Sequence, residues 1–103
     1  MDKTEIIGKL IQYKSLLAKH FDLDSLILYG SYAKGTQREE SDIDVAVIVN
    51  SIKGDFFTYA PLLWKLRREV DDRIEPILID KNDDVSGFLQ EIKKTGLVIE
   101  NEY

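Results

Sequence analysis

From the start of the chain, Ile6, Ile7, Leu10, Ile11, Leu16 and Leu17 recur every three to four positions, the spacing that gathers side chains on one face of a helix. The pattern predicts a helix from about Thr4 to His20, with Asp2 or Thr4 able to cap its start. The period then shortens. SLILYG, Ser25 to Gly30, predicts a short strand ended by glycine. SYAKGTQREES, Ser31 to Ser41, contains Gly35 and little periodicity, and predicts a loop with room for one helical turn after Ser31. DIDVAVIV, Asp42 to Val49, is rich in β-branched residues and predicts a second strand. NSIKGD reads as a turn. Tyr59, Leu62, Leu63, Leu66 and Val70 share one face of a second helix, about Phe56 to Val70. Pro61 blurs that helix's start, because proline prefers the first turn. RIEPILID predicts a third strand, in which Pro76 pushes Glu75 towards extended geometry and marks a strand beginning or a sheet edge. SGFLQEIKKTG predicts a third helix closed by Gly96, and LVIE a last strand.

The order is α-β-turn-β-α-β-α-β. Apolar strands and amphipathic helices in that order predict an α/β (α+β) fold, a mixed β-sheet with flanking helices. A length of 103 residues, without repeats or a linker, predicts a single domain over residues 1–103. Hydrophobic residues make up 44% and charged residues 32%, a balance of globular rather than disordered chains. No apolar run approaches the ~20 residues that cross a bilayer, so no membrane is expected. MDKTEIIGKL lacks a basic segment followed by an apolar one, so no signal peptide is read. There are no cysteines, which removes disulfides, thiolate metal sites and thiol nucleophiles. A cytoplasmic location fits both facts. The net charge of −5 argues against broad binding to a nucleic-acid backbone. It leaves room for a local nucleotide site whose phosphates a cation neutralises.

Side chains alternate along a strand, so Asp42, Asp44 and Ala46 point one way, and Ile43, Val45, Val47 and Val49 the other. Two carboxylates side by side repel each other, and a hard divalent cation relieves that. Mg²⁺ accepts such oxygens and shares its other positions with water and substrate phosphate. Gly30 lets the backbone approach a ligand closely. The N–H groups of a strand-to-helix turn make an anion site, to which Ser31 adds a hydroxyl. Lys34 and Arg38 lie in the following loop, placed either to contact phosphates or to sit in solvent. Gly35 keeps that loop clear of a ligand. Glu75, alone between Ile74 and Pro76 at the head of an apolar strand, is the candidate third carboxylate, with a solvent-facing strand end as the alternative. Asp71 and Asp72 read as a solvated helix end. So does His20, the sole histidine. Tyr29, Tyr32, Trp64 and the Leu62–Leu66 stripe read as core or partner surface, and Lys65 to Glu69 as a solvated helix face.

Gly30-Ser31, ten residues, then Asp42-Ile43-Asp44 has the form G-S-x10-D-x-D. The motif resembles that of the DNA polymerase beta-like nucleotidyltransferases. With SYAKGT and SDIDVAVIV it looks like their minimal nucleotidyltransferase (MNT) branch, over nearly the whole chain. The resemblance implies the nucleotidyltransferase (DNA polymerase beta palm-like) fold. It also implies that Gly30 and Ser31 bind the triphosphate of ATP, that Asp42 and Asp44 hold Mg²⁺, and that Glu75 takes the third carboxylate place. Many relatives carry Asp there, and the longer Glu could be ligand, base for the acceptor, or neither. MNT proteins are similar to the antitoxins of HEPN–MNT toxin–antitoxin pairs. The implied activity is transfer of AMP to a hydroxyl, such as a tyrosine's, of a HEPN ribonuclease partner in a hetero-oligomer. Larger relatives bind the acceptor with a second domain, so here the acceptor surface is expected from another molecule. The alternatives are an antitoxin that only covers its toxin and a transferase acting on a small molecule.

Overall fold

The computed structural model describes residues 3–30, 33, 35, 41–51, 56–82 and 87–100. Helix α1 spans Lys3–Ala18, strand β1 Leu23–Tyr29, strand β2 Ile43–Val49 and helix α2 Phe56–Arg67. Strand β3 follows at Ile74–Asp80, helix α3 at Phe88–Thr95 and strand β4 at Leu97–Val98. The predicted order of elements holds. The strands form one sheet in the order β3-β2-β1-β4. β1 runs antiparallel to both neighbours and β2 parallel to β3, so the sheet is mixed. The parallel pair is joined through α2, the crossover that parallel neighbours require.

Both faces of β2 are covered, which is why DIDVAVIV is almost continuously apolar after its aspartates. On one face, Ile43, Val45, Val47 and Val49 pack with Leu26, Leu28 and Ile74 against α1 and α2. On the other, Ala46 and Ile48 pack with Ile27 against Leu89 and Ile92 of α3. The α1 side is the larger core. Burying a leucine- or isoleucine-sized side chain stabilises by about 1.5–3 kcal/mol, so most of the apolar stabilisation lies on that side.

Several boundaries move. α1 runs through Thr4, which is therefore no cap, and it buries Tyr13 alongside Ile6, Leu10 and Leu17. A tyrosine fits here because its hydroxyl donates to the Leu63 carbonyl at 2.8 Å, which satisfies the polar tip of an otherwise apolar ring. β1 starts at Leu23, earlier than predicted, with an irregularity between Leu23 and Ser25. Pro61 stands inside α2, with its side exposed, and the helix begins well before it. Pro76 lies on β3, an edge strand as expected.

Gly96 closes α3, as the sequence predicts. Its φ is −85°, ordinary extended backbone, rather than left-handed. The glycine is needed for space. A Cβ there would lie 2.6 Å from Ile27 Cγ2, 2.6 Å from the Ile92 carbonyl oxygen and 3.0 Å from that of Leu28. The missing side chain lets the chain turn tightly from α3 into β4 against β1.

Among the described residues, no helix is long and apolar enough to cross a membrane.

Candidate active site

Asp44 lies on β2, and the sheet supplies its neighbours. In the β1–β2 ladder Asp44 pairs with Tyr29, the residue before Gly30. In the β2–β3 ladder Asp44 pairs with Glu75, in parallel register. Directly paired residues project to the same face of a sheet. Glu75, Asp44 and Tyr29 thus form a row across three strands. Asp42 precedes β2, exposed, two residues from Asp44. The row lies on the α3 face, beyond the point where Ala46 and Ile48 are covered.

Gly30 ends β1 with φ +71°, in the left-handed region that glycine enters at little cost. A Cβ at this position would run into the Asp44 carboxylate, with Asp44 Cγ 3.2 Å and Cβ 3.3 Å away. Conformation and close approach both demand glycine here. The spacing of the motif therefore has a physical basis. The backbone turn that starts the loop is pressed against the carboxylate that ends the motif.

The electrostatics agree with the geometry. The Asp44 pKa is raised above the usual carboxylate value by partial burial and by the negative charges of Asp42 and Glu75. The Tyr29 phenol is raised too, first by burial and then by Asp44 and Glu75. The charges of Asp42 and Glu75 work against the ionisation of Asp44, which a divalent cation would relieve. Among the described residues no group of three or more Asp, Glu or His side chains is gathered into a ready metal cage. An open row fits Mg²⁺, which keeps waters and takes substrate phosphate instead of filling an all-protein shell. The donor chemistry of Asp42 and Asp44 suits that ion.

Ser31, Lys34 and Arg38 lie outside the described residues, as does Tyr32. Beside Gly30 a cavity of about 170 Å³ opens between β1 and α3, lined by Tyr29, Phe88, Glu91, Ile92 and Thr95 as well as Gly30. Phe88 meets Tyr29 edge to face, centroids 5.8 Å apart, and is 40% exposed. A tighter cavity of about 90 Å³, walled by Phe21, Val49, Tyr59 and Leu78, lies at the opposite end of the sheet, away from the carboxylates.

Sequence reasoning missed three participants. Tyr29 belongs to the carboxylate face, a placement that needs the β1–β2 register; its position just before Gly30 was the available signal. Asp71 is no solvated helix end. Its side chain is only 10% exposed and holds Lys9 at 2.8 Å and Arg73 at 3.1 Å. Burial alone would raise its pKa, but the Lys9 and Arg73 hydrogen bonds outweigh it and hold the carboxyl down to about 2. Asp72 is exposed, as expected. Arg67, in the stretch read as a solvated face, bonds the backbone ahead of Glu75. Trp64 is 38% exposed, with the Arg67 guanidinium over its ring.

A mixed sheet bearing a glycine turn and a row of carboxylates is the arrangement of a nucleotidyltransferase. The family model described as "Polymerase beta, Nucleotidyltransferase" matches residues 12–102, and the chain belongs to that family. MJ0141 of Methanocaldococcus jannaschii, provisionally named a protein adenylyltransferase, is 31% identical over 101 residues, covering 96% of this chain and 100% of that protein. MJ1379 of the same organism, provisionally named likewise, is 46% identical over 44 residues. That match spans 43% of this chain and only 44% of MJ1379. Among solved structures, a toxin–antitoxin complex with AMP-PNP aligns with TM-score 0.65 and 27% identity, over 93% of this chain and 73% of that one. The complex of a tri-AMPylated Shewanella oneidensis HEPN toxin with its MNT antitoxin aligns with TM-score 0.60, over 99% of this chain and 74% of that one. At 22% identity it shows the shared fold.

Proposed function

We propose that the chain is an antitoxin that transfers AMP from ATP to a tyrosine hydroxyl of a HEPN toxin. The observation that carries this reading is the row formed by Asp44 and Glu75 beside the Gly30 turn. It is supported by the provisional naming of MJ0141, which matches over its full length, and by the AMP-PNP bound in a structural neighbour. In the reaction the acceptor oxygen forms a bond to the α-phosphorus. The bond from that phosphorus to the bridging oxygen breaks, and pyrophosphate leaves with its electron pair. The acceptor proton passes to Glu75, or to water held by it. Gly30, with Ser31, Lys34 and Arg38 after it in the sequence, holds the triphosphate in line for displacement. Asp42 and Asp44, with Glu75, would hold Mg²⁺, whose charge offsets that developing on the phosphoryl oxygens and the leaving group. The acceptor comes from the partner in a hetero-oligomer, in the cytoplasm.

The test combines protein, Mg²⁺, ATP and the co-encoded HEPN toxin, and weighs the toxin by mass spectrometry. AMP-sized additions are expected, lost in Asp42→Asn and Asp44→Asn. The competing reading is an antitoxin that works by covering its toxin. Its sign is a toxin silenced equally well by the double variant with no change in mass, and that result sinks the transferase reading. AMP appearing on a small-molecule acceptor instead would move the activity to that class.

A further inference from the structure

Successive carbonyls on the way into β3 point to opposite sides of the chain. That of Arg73 faces β2 and accepts the Ile43 N–H at 2.8 Å. Those of Asp72 and Ile74 face the open edge, where β3 has no neighbouring strand. Unpaired edge groups of this kind are commonly covered. Here one side chain covers both. Arg67, the last residue of α2, donates from Nη1 to the Asp72 carbonyl at 2.7 Å and to the Ile74 carbonyl at 2.9 Å. The guanidinium plane lies over Trp64, 4.4 Å from the ring centroid, a stack suited to arginine. Its Nε is buried with no hydrogen-bond partner among the described residues. A buried N–H left unpaired costs free energy, so the Arg67 side chain is held here by its stack and its two carbonyls despite that cost. The Ile74 carbonyl belongs to the peptide bond that leads into Glu75. The far side of the same turn is tied down by Asp71, through Lys9 of α1 and the backbone N–H of Arg73.

We propose that Arg67 is a positioning residue for the transfer reaction: its clamp on the edge of β3 sets where Glu75 stands relative to Asp44. The proposal rests on the role given to Glu75 above. Arg67 works through Glu75 rather than by contact with nucleotide or acceptor. It acts on the strand that carries the carboxylate, and a misplacement of about 1 Å at a reacting group can cost roughly 100-fold in rate.

The experiment measures AMP transfer from ATP to the HEPN toxin by the full chain and its variants, with melting temperature measured alongside. Arg67→Ala is expected to lower kcat roughly 10- to 100-fold, with KM for ATP near the wild-type value because the Gly30 side is untouched. Arg67→Lys, which keeps the charge but not the fork, is expected to recover part of the loss. In a Glu75→Gln background, Arg67→Ala is expected to add nothing further, since both changes remove the same contribution. A purely structural arginine would instead lower the melting temperature and give losses that add. Additive losses, or a wild-type kcat in folded Arg67→Ala, overturn the proposal while the transferase reading stands. A wild-type kcat in Glu75→Gln alone removes the role of Glu75, and the proposal with it. A crystal structure of Arg67→Lys, which needs no turnover, is expected to show Glu75 displaced from beside Asp44. An unmoved Glu75 overturns the proposal even in a chain that transfers nothing.

Discussion

At Asp44, burial and the charges of Asp42 and Glu75 raise the pKa, so the folded chain holds the ionised form less readily than the unfolded chain does. For an acid raised on folding, stability falls as pH rises from the unfolded pKa through the folded one, and stays lower at neutral pH. Asp44→Asn is therefore expected to raise the melting temperature of the metal-free protein while abolishing transfer. Thermal melts in EDTA check it; a melting temperature below that of the wild type contradicts it. Asp71 has the opposite sign. Its carboxyl is held down to about 2, against burial, by Lys9 and Arg73. Its contribution is complete above the ordinary carboxylate pKa and is lost as pH falls through that value towards 2. With a side chain only 10% exposed, the contribution is about 1–2 kcal/mol after discounting for solvent. Urea unfolding from pH 7 to pH 2 is expected to show Asp71→Asn less stable by that amount at pH 7 and level with the wild type at pH 2. The two groups also mark how far residues were legible. The pair Asp42 and Asp44 could be read because alternation along one strand is local. Asp71 could not, because Lys9, one of its two partners, is 62 residues away in sequence.

Elements were legible where a period ran long enough. The six apolar positions read in α1 lie in the helix, and the β-branched run of β2 is a strand covered on both faces. Ends were less so, since a boundary depends on what the next element packs against. Gly96 illustrates this. The sequence shows a glycine closing the helix, but only the structure shows that its backbone is extended and that its role is to admit Ile27 and two carbonyls. Gly96→Ala is accordingly expected to cost about 1–3 kcal/mol by overpacking, although alanine suits that backbone. Chemical denaturation measures it; a neutral or stabilising substitution would mean that α3 and β4 can part without loss. Pro76 was readable as an edge residue because proline lacks the N–H that a central strand must donate, and β3 is indeed an edge.

Across the whole molecule the sheet divides two unequal cores. The α1–α2 side gathers Ile6, Leu10, Tyr13, Leu17, Leu63 and Leu66 over the sheet. Among the described residues, the buried cluster on the α3 side is smaller, with Leu89 and Ile92 over Ile27, Ala46 and Ile48. Local opening follows buried apolar contact, so native-state hydrogen exchange is expected to release the amides of α3 and β4 before those of β1 and β2. Equal protection throughout would mean that the two layers unfold as one unit. The layer expected to open first borders the cavity beside Gly30, through Phe88, Glu91, Ile92 and Thr95.

By itself the sequence determined the order of elements, the mixed α/β class and the pair of aspartates facing a glycine turn. Periodicity, β-branching and motif spacing act over a few residues and survive without a fold. Tertiary structure alone decided that Glu75 stands in register with Asp44 and that Tyr29 shares their face. It also decided that Arg67 and Asp71 tie down the turn before Glu75. Those facts depend on strand register and on contacts between distant parts of the chain. Register is fixed by burying one face of every strand at once, a condition that no single stretch of sequence contains.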